Sequence, residues 1–231
     1  APFKLRFPIS TSWTIWAPPG CVTIAVAQIM NYHQFPRNYC DWSLVNQYNP
    51  KKLLEENDQD VLDEVALLSK KVAGGCRVEC NFFGSGETFS TPAKAKRFLR
   101  DMGYTGIEKH LGYDADVIKT TLNKGCPVFI GALSSSNHGH AWVIDGYLNY
   151  ENIIKTYNGP ATLLETKTVN KLFVHCNWGW QSTRKNGYYA SKVFDTRNGP
   201  ADLSGYPVAT RGIDTKNYTW WFRIVTYNKP R

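Results

Sequence analysis

Downstream of the Pro18-Pro19-Gly20 turn, apolar side chains recur at Val22, Val26, Ile29 and Met30, with His33 extending the row. Spacing of three and four residues predicts a helix with one buried stripe, ended by Pro36. Its β-branched residues are modest helix formers, so packing against the rest of the molecule must hold it, which makes it a central helix. A second helix is expected at about 60–73, with Val61, Val65, Leu68 and Val72 on one face and Gly74-Gly75 as its stop. A third has signals at both ends: Thr91 as N-cap, Pro92 at the first helical position, an apolar face of Ala95, Phe98, Leu99 and Met102, then Gly103. A fourth starts at the Asp114 cap, carries Val117, Ile118 and Leu122, and stops at Gly125.

Beyond that point the pattern changes. "CPVFIGAL", "HAWVIDGY", "KLFVHCNW", "GYYASKVF" and "YTWWFRIVTY" are β-branched and aromatic runs divided by Gly, Asn and Pro turn signals. Consecutive strands with few helices between them predict an antiparallel sheet. The fold class is therefore α+β: a mainly helical half over about 1–125 and a mainly β half over about 126–231 of one domain, with a ligand cleft where the halves meet.

At 231 residues the chain can bury a substantial core without covalent staples. The net charge of +8 would favour acidic partners, but the positive residues are scattered, with "SKK", "KAKRFLR" and "STRKNG" as the only groupings. That is a solvated basic surface, and nucleic acid is not expected as a partner. No run approaches the roughly 18 apolar residues that span a membrane, and the opening "APFKLRFPIS" lacks a signal-peptide core, which fits a cytosolic or an already processed chain. Six cysteines could pair completely, at Cys21, Cys40, Cys76, Cys80, Cys126 and Cys176. Cys76 and Cys80 with nearby His110 have no second close pair at metal-ligand spacing, so neither a metal nor any other cofactor is expected.

Cysteine catalysis needs a thiolate, a base to carry its proton, a group that orients the base, and donors for the oxyanion. The first turn of a helix supplies unpaired N–H groups and the positive end of a dipole, both of which lower a thiol's pKa. Cys21 is at such a position, although a small buried hydrophobe is the commoner fate of a free cysteine. Among the histidines, His33 extends a core stripe and His110 lies in a polar connection. His140 opens a strong strand, where a rigid sheet fixes a ring facing the cleft; His138 in the same loop is its competitor. In "HCNWGW", the Asn177 carbonyl could accept from the base and fix its tautomer while an indole excludes water; the alternative is a turn with aromatic packing only.

"GCVTIAVAQIMNYHQFP", "GHAWVIDGY" and "CNWGW", in this order, resemble the streptopain family of papain-like cysteine peptidases. "CDWSLV" and "NFFGSGETFSTPAKAKRFLRDMGY" extend the likeness over most of the chain. The resemblance implies a papain-like fold with Cys21 as nucleophile, His140 as general base, and Asn177 and Trp178 as the segment that orients and shields it. It implies a substrate cleft lined by Gly139 and by Ser85 and Gly86 of the Gly/Ser loop, with Trp142 and Trp180 beside the base. It also implies a secreted bacterial endopeptidase, a monomer made as a zymogen, whose partners are protein or peptide substrates and a propeptide or inhibitor protein. No propeptide is present in this sequence, as expected of a mature enzyme or a fragment of a larger precursor.

One departure bears on activity. Where family members carry a glutamine upstream of the cysteine for the oxyanion hole, "STSWTIWAPPGC" has none. A backbone N–H with another donor replaces it, or a loop is omitted from the sequence, or the protein is impaired. The rival readings are accordingly a silent member that binds peptides in the same cleft, a thiol amidase or acyltransferase, and, weakest, a basic module for polyanions.

Overall fold

The computed structural model describes residues 5–8, 14–17, 19–49, 56–80, 88–135, 138–160, 162–180, 185–197, 199–201 and 216–230. The first described elements are β1 (Leu5–Pro8) and β2 (Thr14–Ala17), paired antiparallel, followed by α1 (Cys21–His33), α2 (Trp42–Val45) and α3 (Gln59–Gly75). A short pair, β3 (Glu79–Cys80) with β4 (Thr88–Phe89), leads to α4 (Pro92–Asp101), β5 (Thr105–Leu111) and α5 (Ala115–Asn123). Among the described residues that follow, the elements are strands: β6 (Val128–Ser134), β7 (Gly139–Asn158), β8 (Thr162–Asn177), β9 (Gly187–Ala190), β10 (Phe194–Asp195) and β11 (Asn217–Asn228).

The predicted N-terminal caps of α4 and α5 act as expected. Thr91 caps α4 by accepting from the Lys94 N–H, with Pro92 at the first helical position, and Asp114 caps α5 by accepting from the Asp116 and Val117 N–H groups. The α3 helix includes the two glycines expected to stop it. A Cβ on Gly75 would run into the Phe98 ring of α4, so a glycine there lets the two helices approach.

Seven antiparallel strands form the main sheet in the order β10-β11-β6-β7-β8-β9, with β5 also paired to β11. Strand alternation gives that sheet a core on each face. Phe129, Ala141, Val143, Val225 and Tyr227 point to a core shared with Val22, Val26, Ile29 and Met30 of α1, Leu68 and Val72 of α3 and Leu99 of α4. Their neighbours Val128, Ile130, Trp142, Ile144 and Ile224 point the other way, into an aromatic core with Trp178, Tyr189, Phe194, Tyr218 and Ile118. The fold is thus a mixture of helices and antiparallel sheet.

Two expectations need correction. "EKHLGY", read as a polar connection, belongs to β5, which joins the sheet through Ile224↔His110 and Val225↔Lys109. The helical half therefore contributes an edge strand to the β half. "GYYASKVF" is two strands: a turn at Ser191-Lys192, where Lys192 has a φ of 71°, separates β9 from β10. β7 and β8 also extend far beyond the predicted runs, and over 149–158 and 162–171 they pair with each other as a two-stranded ribbon.

Candidate active site

The site is built where α1 begins, where β7 begins and where β8 ends. Gly20, at the N-cap of α1, has φ 82° and ψ 153°, a conformation open only to glycine, and a Cβ there would lie 2.6 Å from Thr88 Oγ1. A glycine N-cap has no side chain to occupy the first N–H groups of the helix, and the first turn contains no acidic residue. Those donors turn instead to the Cys21 sulfur, which meets the N–H groups of Val22, of Cys21 itself and of Ala141. Ala141 follows His140 directly, so the thiol rests against the strand that carries the histidine. Burial pushes the Cys21 thiol up and the three backbone donors pull it down, with burial the stronger.

Among the described residues, Cys21, Cys40, Cys76, Cys126 and Cys176 are all free thiols. Burial pushes Cys40 and Cys76 up to about 12. The Cys21 sulfur, with its helix-terminal donors, is set up differently from those core thiols.

His140 enters β7 opposite Ala132 of β6. Its ring lies in a box of aromatics: Trp142 at 6.2 Å and Trp178 at 5.8 Å are stacked with it, Tyr218 is stacked at 5.7 Å, and Trp180 is tilted at 5.0 Å. The Nε2 atom is 3.1 Å from the Trp178 carbonyl oxygen. A carbonyl only accepts, so Nε2 carries the hydrogen and Nδ1 is left as the basic nitrogen. Burial pushes His140 down to about 4, against the opposing pull of that carbonyl.

Asn177 is not arranged as the sequence suggested. Its Oδ1 accepts from Gln28 Nε2 at 2.9 Å, from the Gly179 N–H at 3.3 Å and from Asn186 Nδ2 at 3.3 Å. The peptide unit joining Trp178 to Gly179 therefore donates its N–H to Asn177 and presents its C=O to His140. The asparagine reaches the histidine through that peptide. Gln28 and Asn186, in the hydrogen-bond network, and Tyr218, in the box, were not singled out from sequence. Tyr218 could have been sought in the aromatic run "YTWWFRIVTY" and Gln28 in "GCVTIAVAQIMNYHQFP", whereas Asn186 has no local signal.

Of the residues expected to line the cleft, Gly139 is exposed and Trp180 half-buried, both beside His140. Trp142 is corrected: it has 0% exposure and supports the box from beneath, stacked on Trp178 at 4.6 Å. Ser85 and Gly86 lie outside the described residues. His138 is exposed and belongs to a turn in which its N–H donates to Ser134 Oγ at 3.2 Å, while His110 Nε2 is 3.1 Å from Thr226 Oγ1. Among the described residues no three His, Cys, Asp or Glu side chains are grouped to hold a metal, and no helix is long and apolar enough to cross a membrane.

The two depressed histidines have a consequence for stability. Burial, together with the Lys229 charge, pushes His33 down to about 4, and burial does the same to His140, against 6.5 for an ordinary histidine. Between pH 6.5 and 4 the unfolded chain therefore binds up to two more protons than the folded one, and stability falls as the pH falls. The carboxyls of Asp41, Glu79 and Asp195, held low by their hydrogen bonds, add slope of the same sign toward the acid end. Urea unfolding followed across this window should show that loss, and His33→Phe should flatten it by about one proton.

The family model described as Peptidase C10 family matches residues 7–189, a span that holds α1 with Cys21, the β7 start with His140 and the turn after β8. No curated protein matches the sequence. The matched span covers well over half of the chain, so the chain belongs to the Peptidase C10 family, the streptopain family, and is a cysteine-type peptidase.

Proposed function

We propose that this chain is a single papain-like catalytic domain and a cysteine endopeptidase, with Cys21 as nucleophile and His140 as its base. The observation that carries the assignment is the Cys21 sulfur resting among α1 N-terminal donors and the Ala141 N–H, one residue from a histidine whose Nε2 is held by the Trp178 carbonyl. Family membership supports protein substrates. Secretion is the family expectation, and the monomeric state and zymogen origin go with it.

In the mechanism, His140 Nδ1 takes the Cys21 proton and the sulfur attacks the carbonyl carbon of the target peptide bond. Burial of both groups works against separating charge. The ion pair is favoured by the mutual attraction of the two groups, by the helix-terminal N–H groups at the sulfur and by the carbonyl at Nε2. As the sulfur bonds to the substrate carbon, the Cys21 backbone N–H turns from the sulfur to the oxyanion of the tetrahedral intermediate, in place of a donor from the glutamine-free segment before it. His140 then gives its proton to the leaving amine, breaking the C–N bond and leaving a thioester. Water, deprotonated by His140, attacks that thioester, and the acid product leaves as the thiol is regenerated. Gly139 and Trp180 border the cleft beside the base, with Ser85 and Gly86 assigned to it by the family likeness. Asn177 and Trp178 hold the ring in its reactive tautomer.

The test combines casein digestion with labelling by an epoxysuccinyl inhibitor. Internal casein fragments should form, activity should fall in step with one label per chain, and that label should map to Cys21. Intact casein, or a label on another cysteine accompanied by loss of activity, would refute the assignment.

A further inference from the structure

Asn186 stands outside every motif that pointed to the site, yet it touches both residues that frame the histidine's acceptor. Its Oδ1 accepts from the Trp178 N–H at 3.0 Å, and its Nδ2 donates to Asn177 Oδ1 at 3.3 Å. The first bond fixes the peptide unit before Trp178. The second orients the asparagine whose Oδ1 takes the Gly179 N–H, which belongs to the peptide unit after Trp178. It is this second unit whose carbonyl accepts from His140 Nε2 at 3.1 Å.

We propose that Asn186 is a positioning residue for His140, acting through the two peptide units that flank Trp178. This rests on the reading of His140 as the catalytic base.

The location of Asn186 suits the task. It directly precedes β9, where Gly187 pairs with Cys176 of β8, so it is carried on the sheet beside Asn177 and not on the turn it restrains. Lys185 on its other side is buried, its Nζ donating to the Thr196 carbonyl at 2.5 Å while the Tyr189 hydroxyl donates to the Lys185 carbonyl at 2.7 Å. Gly187 has φ 148° and packs where a Cβ would lie 2.6 Å from the Pro200 ring. A support anchored on both sides can hold Asn177 and Trp178 in place.

The clamp also crosses to the nucleophile's helix. Gln28 of α1 donates its Nε2 to the same Asn177 Oδ1 at 2.9 Å. Asn186, Asn177 and Gln28 thereby tie the acceptor of the base to the helix that begins at Cys21. Bonds through one peptide polarise one another, so a donor lost at Asn177 weakens the acceptor at Trp178 as well as loosening it.

The experiment compares wild type with Asn186→Ala and Asn186→Asp, the latter keeping the acceptor for the Trp178 N–H but not the donor to Asn177. Asn186→Ala should lower kcat about 10- to 100-fold, as loss of an outer-shell partner typically does, with KM within about twofold. Asn186→Asp should fall between that variant and wild type. Val72→Ala, in the other core, controls for simple destabilisation and should keep kcat. A second readout is the His140 Nε2 proton by NMR, which should be protected from exchange in wild type and exchange at least tenfold faster in Asn186→Ala. Unchanged kcat and proton exchange in folded Asn186→Ala would overturn the proposal, as would an equal kcat loss in Val72→Ala. A protected proton in a wild type that hydrolyses no peptide would instead refute the peptidase reading and leave the positioning role standing.

Discussion

Alanine at Cys21, at His140 or at both should cost peptide hydrolysis about the same amount, on the order of a millionfold in kcat, with no added penalty in the double variant. The reason is that the two side chains perform one act. Without the thiol there is no nucleophile for the histidine to activate, and without the histidine the thiol keeps its proton, because burial pushes it above its ordinary range. Two independent contributions would instead add in free energy and multiply in rate. The single and double variants measured on one fluorogenic peptide decide between these cases. A double variant far slower than either single one, or a His140→Ala variant retaining a tenth of the activity, would refute the pairing.

Removing the His140 ring empties a box formed by Trp142, Trp178, Trp180 and Tyr218, so Ala at this position also creates a cavity. His140→Gln fills part of that space without supplying a base of matching pKa. It should be as inactive as the alanine variant while unfolding closer to the wild-type temperature. Cys21→Ala has no such complication, since the first turn of α1 is held by burial of Val22, Val26 and Ile29 behind it.

Much of this site could be read from local signals. The glycine before Cys21, the helical spacing after it and the histidine opening a β-branched run are features of a few residues each, and local physics decides them. The same holds for the Thr91 and Asp114 caps, which satisfy donors two or three residues away. β5 was missed because an edge strand with both faces largely open has no alternation: its burial runs exposed at Thr105, Gly106, Glu108, Lys109 and Leu111, with only Ile107 and His110 partly covered. It is a strand because β11 offers an edge, and that partner is more than 100 residues away in sequence.

Trp142 illustrates the converse. The family likeness made its indole a candidate for the substrate cleft, and alternation does put it on the same side as His140. That side is also the second core, however, and only packing with Trp178, Phe194 and Tyr218 determines that the indole is covered. The link from Asn177 to His140 was hidden for a similar reason. A direct amide-to-imidazole bond is the simplest reading of a sequence, whereas the observed route through a peptide unit depends on Gln28 and Asn186 arriving from α1 and the start of β9.

Gly179→Ala should reduce kcat by roughly a hundredfold, the cost of displacing a catalytic group by about an ångström, and should also lower the unfolding temperature. Gly179 has φ 70°, where a Cβ is strained in any surroundings, and here that Cβ would lie 2.5 Å from Ile24 Cγ2. Ile24 is one turn after Cys21 in α1, and its γ-methyl is attached directly to the β-carbon, so it cannot swing aside as the end of a long side chain would. Either α1 shifts or the Trp178-Gly179 peptide lifts away from it. Lifting the peptide removes the carbonyl from His140 Nε2 and the N–H from Asn177 Oδ1 together. An Ile24→Ala change removes the clashing methyl, so the double variant should regain kcat relative to Gly179→Ala even though Ile24→Ala is itself mildly destabilising. Stopped-flow and thermal unfolding measurements on the four proteins check this directly. Recovery of stability without recovery of kcat would mean that the turn holds the fold together but does not aim the histidine.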